Sequence, residues 1–87
     1  MVTYNPPRSI YQSADAAALT LGAGDSLTLG ASVALWAYGA AESHGVRSAG
    51  GNQMAIAGDV FSSNLAAIHS DGGNNIIDIA ATGSLFG

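Results

Sequence analysis

The sequence predicts an all-β protein, a parallel β-solenoid of about three coils with about 22–27 residues in each coil. Three observations predict this fold. Apolar residues alternate in short runs, similar runs return at a regular spacing, and twelve glycines among 87 residues interrupt every candidate helix. A solenoid satisfies all three because each coil is a set of short strands joined by tight corners.

Four short runs share one layout, a polar corner residue followed by apolar side chains two and four places on. They are DSLTL at 25–29, NQMAI at 52–56, NLAAI at 64–68 and NIIDI at 75–79. Because side chains on a strand alternate between its two faces, the apolar pairs of the four runs are predicted to share one interior.

A longer register lies over these runs. GVRSAGGN at 45–52 matches AIHSDGGN at 67–74, and GASV at 30–33, AGDV at 57–60 and TGSL at 82–85 form a third related set. Hairpin folds are disfavoured because the one Asp-Gly pair, at Asp71, is followed by Gly and two Asn rather than directly by a strand. The repeats therefore favour a chain that coils onward.

The chain divides into residues 1–13, predicted to be an extended lead-in or cap, and residues 14–87, predicted to be the solenoid repeats. Pro6 and Pro7 lie in the first segment, where a missing N–H group is tolerated at a sheet edge. The residues predicted to form the interior are Leu21, Leu27, Leu29, Val33, Leu35, Val46, Met54, Ile56, Val60, Ile68, Ile77, Ile79 and Leu85.

Polar residues at the corners are predicted to form a ladder along the solenoid. Asn tolerates left-handed backbone angles, and its amide can pair with the same side chain one coil away. We expect Asn52 to stack with Asn74 or Asn75, and Asp25 to occupy the equivalent corner.

Two segments, SAGGNQMAIAGDVFSSNLAAIHS at 48–70 and DGGNNIIDIAATGSLFG at 71–87, resemble the repeats of large bacterial surface and secreted β-helix proteins. These include autotransporter-like passengers and the repeat regions of type I secreted adhesins. The resemblance implies a structural or adhesive segment, extracellular or at the cell surface, with no catalytic residues to carry over. The alternative is a fragment of a carbohydrate-processing β-helix, such as a tail-spike-like depolymerase or lyase.

Composition restricts the partners. Only Arg8 and Arg47 are cationic and the formal net charge is −4, which excludes a nucleic-acid footprint. The longest apolar stretch, residues 31–41, is far below the roughly 20 residues that span a bilayer, so no membrane insertion is expected. No charge follows Asp78 to protect the last strands. We therefore expect the chain to stack on itself, end to end or laterally, or on further coils of a longer chain, and carbohydrate is a further possible partner.

The candidate binding residues are Trp36, Tyr38 and His44, in the segment between Leu35 and Val46 where the first coil is longer than the second. Trp36 and Tyr38 alternate and could face outward as a stacking platform for sugar rings or for a partner. His44 and His69 have different offsets from the matching residues Val46 and Ile68, so we expect them not to stack.

No cofactor, metal site or catalytic activity is expected. DGGNNIIDIA at 71–80 resembles a calcium-roll repeat, but Asp78 falls one place late, and one carboxylate per coil cannot supply the six to eight oxygens that Ca²⁺ requires. Calcium is the alternative here. The candidate catalytic acids Asp25, Asp59, Asp71 and Asp78 do not recur at one strand position on neighbouring coils, as a glycosidase pair would require.

Overall fold

The fold consists of short strands joined by corners. The computed structural model describes residues 2–87, and this range contains no helix, hence none long and apolar enough to cross a membrane. The strands are β1 Thr3–Tyr4, β2 Ile10–Gln12, β3 Leu19–Leu21, β4 Ser26–Leu29, β5 Ala34–Ala37, β6 Val46–Ser48, β7 Gln53–Ile56, β8 Asp59–Ser62, β9 Ile68–Ser70, β10 Ile76–Ile79 and β11 Ser84–Phe86.

The strands form three parallel sheets that the chain visits in turn. Sheet A has the order β1-β4-β7-β10, sheet B has the order β2-β5-β8-β11, and sheet C has the order β3-β6-β9. Every pairing is parallel, and each strand pairs with the strand three places on in the chain. The predicted parallel β-solenoid of about three coils is therefore confirmed.

Coil length varies at the corners and is constant in sheet B. Ile10, Leu35, Val60 and Leu85 are successive partners, each 25 residues from the next. In sheet C the partners of Val46 are Leu19 and Ile68, so the steps are 27 and 22 residues. The corner that leaves sheet B absorbs most of this difference, and in the second coil it contains Glu42 with a positive φ of 56°. Sheet B is consequently a column of equivalent positions.

The interior is built from the inward-facing residues of all three sheets. Strands alternate as expected, and the buried apolar residues are Leu21, Leu27, Leu29, Val33, Leu35, Ala37, Val46, Met54, Ile56, Val60 and Ala67. The prediction missed the small residues Ala37 and Ala67 because their side chains add little to an apolar pattern. The remaining predicted interior residues belong to the last coil.

Two predicted interior residues are in fact exposed. Ile77 and Ile79 are 41% and 49% accessible to solvent, although they pair in register with the buried residues Met54 and Ile56. The face was predicted correctly, but β10 is the outermost strand of sheet A and no coil covers its inward side. Ile68 and Leu85, on the outermost strands of the other two sheets, are only partly buried for the same reason.

The N-terminal segment takes part in the sheets. β1 pairs with β4, and β2 pairs with β5, so residues 2–13 supply the outermost strands of sheets A and B at the opposite end of the stack. Pro6 and Pro7 lie between these two strands, where the ladder needs no N–H group from them.

The corners bring neighbouring coils very close together. At Gly58, a methyl group would overlap the carbonyl oxygens of Val33 and Gly30 from the preceding coil. Gly51 takes a positive φ of 63°, a conformation that residues with a side chain rarely adopt. Glycine at these corners is therefore a requirement of the stacking.

Candidate functional site

The corner between sheets C and A carries a ladder of polar side chains, which we call the corner ladder. It consists of Asp25, Asn52 and Asn75, the residues that directly precede the paired first residues of β4, β7 and β10. Each coil thus supplies one member. Asn74 does not occupy this position; it is exposed, with a positive φ of 62°.

Hydrogen bonds of the corner ladder run between coils. The Asn52 side chain is fully buried, and its Nδ2 donates to the carbonyls of Gly22 and Asp25 at 2.8 Å each. Its Oδ1 accepts from the Gly50 N–H at 3.0 Å and from the Ser48 hydroxyl. All four hydrogen-bonding positions of the amide are used, so Asn52 ties its own corner to the coil before it.

The other two members bond differently. Asn75 Oδ1 accepts from the backbone N–H of Asn52 at 3.0 Å. The Asp25 carboxylate accepts from the N–H groups of Val2 and Gly22 at 2.8 and 2.9 Å. Asp suits that corner because both partners are donors, whereas Asn52 faces two carbonyls and two donors. The ladder is a structural device that satisfies the backbone of the corners.

The outer face of sheet B carries one aromatic ring in every coil, and we call this set the aromatic stripe. Tyr11, Trp36, Phe61 and Phe86 are successive partners in register. The ring centroids of Tyr11 and Trp36 are 5.6 Å apart, and those of Trp36 and Phe61 are 5.3 Å apart. The rings therefore form a continuous apolar column parallel to the solenoid axis.

Tyr38 widens the stripe at its middle. Its ring lies 5.7 Å from Trp36 and 6.2 Å from Phe61, centroid to centroid. Trp36 and Tyr38, singled out from the sequence, are thus brought together, but Tyr11, Phe61 and Phe86 were missed. The signal was available, because these aromatic residues follow one another every 25 residues through Trp36.

Sheet C carries a charged cluster on its outer face. Arg47 donates to Glu42 at 2.7 Å and to Asp71 at 2.8 Å, and His69 contacts Asp71 at 3.0 Å. The Arg47 guanidinium, with His69 as a second partner, lowers the pKa of the Asp71 carboxyl below its ordinary value. These exposed pairs join the corner before β6 to the end of β9, across two coils.

The prediction that His44 and His69 do not stack is wrong. Their ring centroids are 4.4 Å apart and their planes differ by 12°. His44 lies in the corner before β6, outside the strand, so the alternation of side chains does not determine where its ring points. His44 therefore lies beside the charged cluster, far from the aromatic stripe in the chain's register, and its Nδ1 is buried without a hydrogen-bond partner within residues 2–87.

The carboxylates that could act in catalysis lie in different environments. Asp25 is buried in the corner ladder, Asp59 is on the outer face of sheet B, and Asp71 is held by Arg47. Asp78 is on sheet A, where its partner in register is Ala55. Acid–base hydrolysis of glycosides needs two carboxyl groups facing one another across the bond, and these four side chains lie on separate faces or in separate bonds.

Residues 2–87 contain no group of three or more His, Asp or Glu side chains placed to hold a metal ion. Asn74 and Asp78, the oxygen-bearing residues of the calcium-like segment, stand on either side of the start of β10, and Asn75 is engaged in the corner ladder. The segment is thus a corner followed by a strand.

Comparisons with protein-family models, with curated proteins and with solved structures gave no significant match. Function is therefore argued from the surfaces of the solenoid.

Proposed function

We propose that this chain is a non-catalytic structural segment of an extracellular or cell-surface β-solenoid fibre, and that its last coil stacks on a coil from a second copy. The observation that carries the proposal is the open end, which we define by the inward-facing residues Ile77, Ile79 and Leu85 of the last coil. The extracellular setting is supported by the resemblance of residues 48–87 to secreted β-helix repeats.

The open end has the chemistry of an interior. Met54 and Ile56, one coil earlier at the same positions as Ile77 and Ile79, are 2% and 1% accessible. A further coil would bury the exposed halves of the two isoleucines in the same way. Full burial of such a side chain contributes about 1.5–3 kcal/mol, so covering half of each contributes on the order of 1 kcal/mol per residue.

Backbone groups add a directional requirement. β10 and β11 are the outermost strands of sheets A and B, and each offers an unoccupied edge within residues 2–87. At the other end of the stack, β1 and β2 offer edges of the same two sheets, beside the partly buried Tyr4 and Ile10. Head-to-tail stacking would extend both sheets in the parallel sense, and such heterologous contacts build filaments.

The test is the mass of the purified chain as a function of concentration, measured by sedimentation velocity. We expect species larger than the 8.6 kDa chain to grow with concentration. Ile79→Ser should reduce this association, because it places a hydroxyl in the contact. Ile76→Ser is the matched control, since Ile76 is 53% accessible but pairs with the outward-facing Gln53.

Both variants should keep the far-UV spectrum of the parent chain. A monomer of 8.6 kDa at every concentration would sink the stacking proposal. Equal loss of association in Ile76→Ser and Ile79→Ser would place the contact on the outer face of sheet A instead of at the open end.

A further inference from the structure

We propose that the aromatic stripe binds a neutral, extended polysaccharide lying along the solenoid axis. This role is separate from the stacking of coils, because the stripe is on the side of the solenoid and the open end is at its base. It assigns a ligand class to a surface on which the sequence pointed only to Trp36 and Tyr38.

The spacing of the rings fits a repeating ligand. The stripe places one aromatic ring on each coil, and strands in a sheet lie about 4.8 Å apart, so four rings span about 14 Å. The end rings are open to solvent, with Tyr11 63% and Phe86 58% accessible. Sugar rings whose hydroxyls are all equatorial present C–H bonds on both faces, and these carry positive charge toward the negative face of an aromatic ring.

Polar groups stand on both sides of the stripe. Asp59 and Ser84 face outward on one side, and the Ser84 hydroxyl donates to the Asp59 carboxylate at 2.5 Å. On the other side, the exposed Tyr38 and Ser63 follow the ends of β5 and β8. An apolar column with hydroxyl and carboxylate groups at its margins matches a sugar chain, which has C–H faces and hydroxyl edges.

The size of the face argues against a protein as the main occupant. Four strands about 4.8 Å apart and four residues of about 3.3 Å give a flat area of about 250 Å². A stable protein interface buries about 800 Å² on each partner. Protein contact through this face alone would be weak, whereas three or four sugar rings would cover it.

The charge of the face selects neutral sugars. Among the outward residues of β2, β5, β8 and β11, Asp59 is the one charged side chain. Arg47, a possible partner for an acidic sugar, is on sheet C and is already held by Glu42 and Asp71. A uronic acid polymer would therefore meet a like charge and no cation.

Trp36 is the one tryptophan of the chain and lies in the stripe, so its fluorescence reports on this surface. We would titrate the purified chain with cellohexaose, a neutral β-1,4-glucan, and with hexagalacturonate as the acidic probe. We expect a saturable change with cellohexaose and none with hexagalacturonate. Tyr11→Ala should weaken cellohexaose binding about threefold to tenfold, the loss of one aromatic contact.

Two matched variants separate this surface from the others. Thr28→Ala changes an exposed residue on the outer face of sheet A, and Ile79→Ser changes the open end; both should bind cellohexaose as the parent does. No saturable change at millimolar cellohexaose overturns the proposal. So does equal binding of the acidic probe, an equal loss in Thr28→Ala, or a Trp36 signal that follows protein concentration alone, which would assign the stripe to protein contact.

Discussion

The corner ladder makes a sharp prediction at Asn52, where Asn52→Asp changes one NH₂ group to an oxygen and leaves the shape of the side chain nearly unchanged. Asn52 Nδ2 donates to the carbonyls of Gly22 and Asp25, both at 2.8 Å, within a fully buried corner. After the substitution, a carboxylate oxygen would face two carbonyl oxygens. The acceptor contacts from Gly50 N–H and the Ser48 hydroxyl would remain.

The magnitude follows from the groups left unpaired. Each buried carbonyl without a donor costs about 1–3 kcal/mol, and the buried charge adds to this, so we expect a loss of about 3–5 kcal/mol at neutral pH. A domain of this length is stabilised by about 4–13 kcal/mol in total, so the loss is a large fraction of the whole.

The loss should depend on pH. Two facing carbonyls and burial disfavour the ionised form, so the folded-state pKa of the introduced carboxyl lies above its unfolded value of about 3.9. The destabilisation is therefore small below that value and grows as pH rises toward the folded-state pKa. A protonated carboxyl could donate to one of the two carbonyls and recover part of the loss.

Urea unfolding followed by far-UV circular dichroism at about pH 4 and pH 7 measures both effects. Asn75→Asp is the matched control, because it is the same change one coil later, where Nδ2 donates to the Ser70 hydroxyl and the Gly72 carbonyl and the side chain is only partly buried. It should cost clearly less. A pH-independent loss for Asn52→Asp, or one no larger than that of Asn75→Asp, would refute this account of the ladder.

Two further predictions concern the corners and the charged cluster. Gly58→Ala should prevent stable folding, because its methyl group would overlap the Val33 carbonyl, whereas Gly73→Ala should be nearly neutral, because nothing lies within 4 Å of that position; thermal unfolding of both compares them, and similar melting temperatures would contradict the packing argument. The stabilising contribution of Asp71, whose pKa is lowered chiefly by Arg47, is present above its ordinary pKa of 3.8 and is lost as pH falls through the lower folded-state value. The difference in urea midpoint between the parent and Asp71→Asn should thus be seen at about pH 5 and vanish near pH 2, and a constant difference would exclude this ion pair as its source.

The sheets follow from the sequence because two periods agree. Alternation at period two assigns Leu27, Met54 and Ile77 to one face, and the recurrence of similar runs assigns them to successive coils, which is the register of sheet A. Burial of Ile77 did not follow, since alternation tells which way a side chain faces but not whether another coil covers it. Local pattern and global environment separate at the end of any stack.

The side-chain clusters on the surface were harder to predict. His44 lies in a corner whose length differs between coils, so an offset counted in sequence does not measure distance there. The aromatic stripe was missed for the opposite reason: its spacing is regular, but Phe61 and Phe86 lie in the runs DVFS and SLF, which attract attention for their buried Val60 and Leu85. Outward positions need to be aligned across coils as carefully as inward ones.

The constant 25-residue step of sheet B has a consequence for how such a chain can lengthen. A tandem duplication of 25 codons anywhere in the repeats would return the reading to the same sheet, the same corner and the same ring position. The added coil would carry its own aromatic residue at the stripe and its own apolar pair at the base. Growth by copying would therefore preserve both surfaces at once, while length changes confined to the corner after sheet B would leave them untouched.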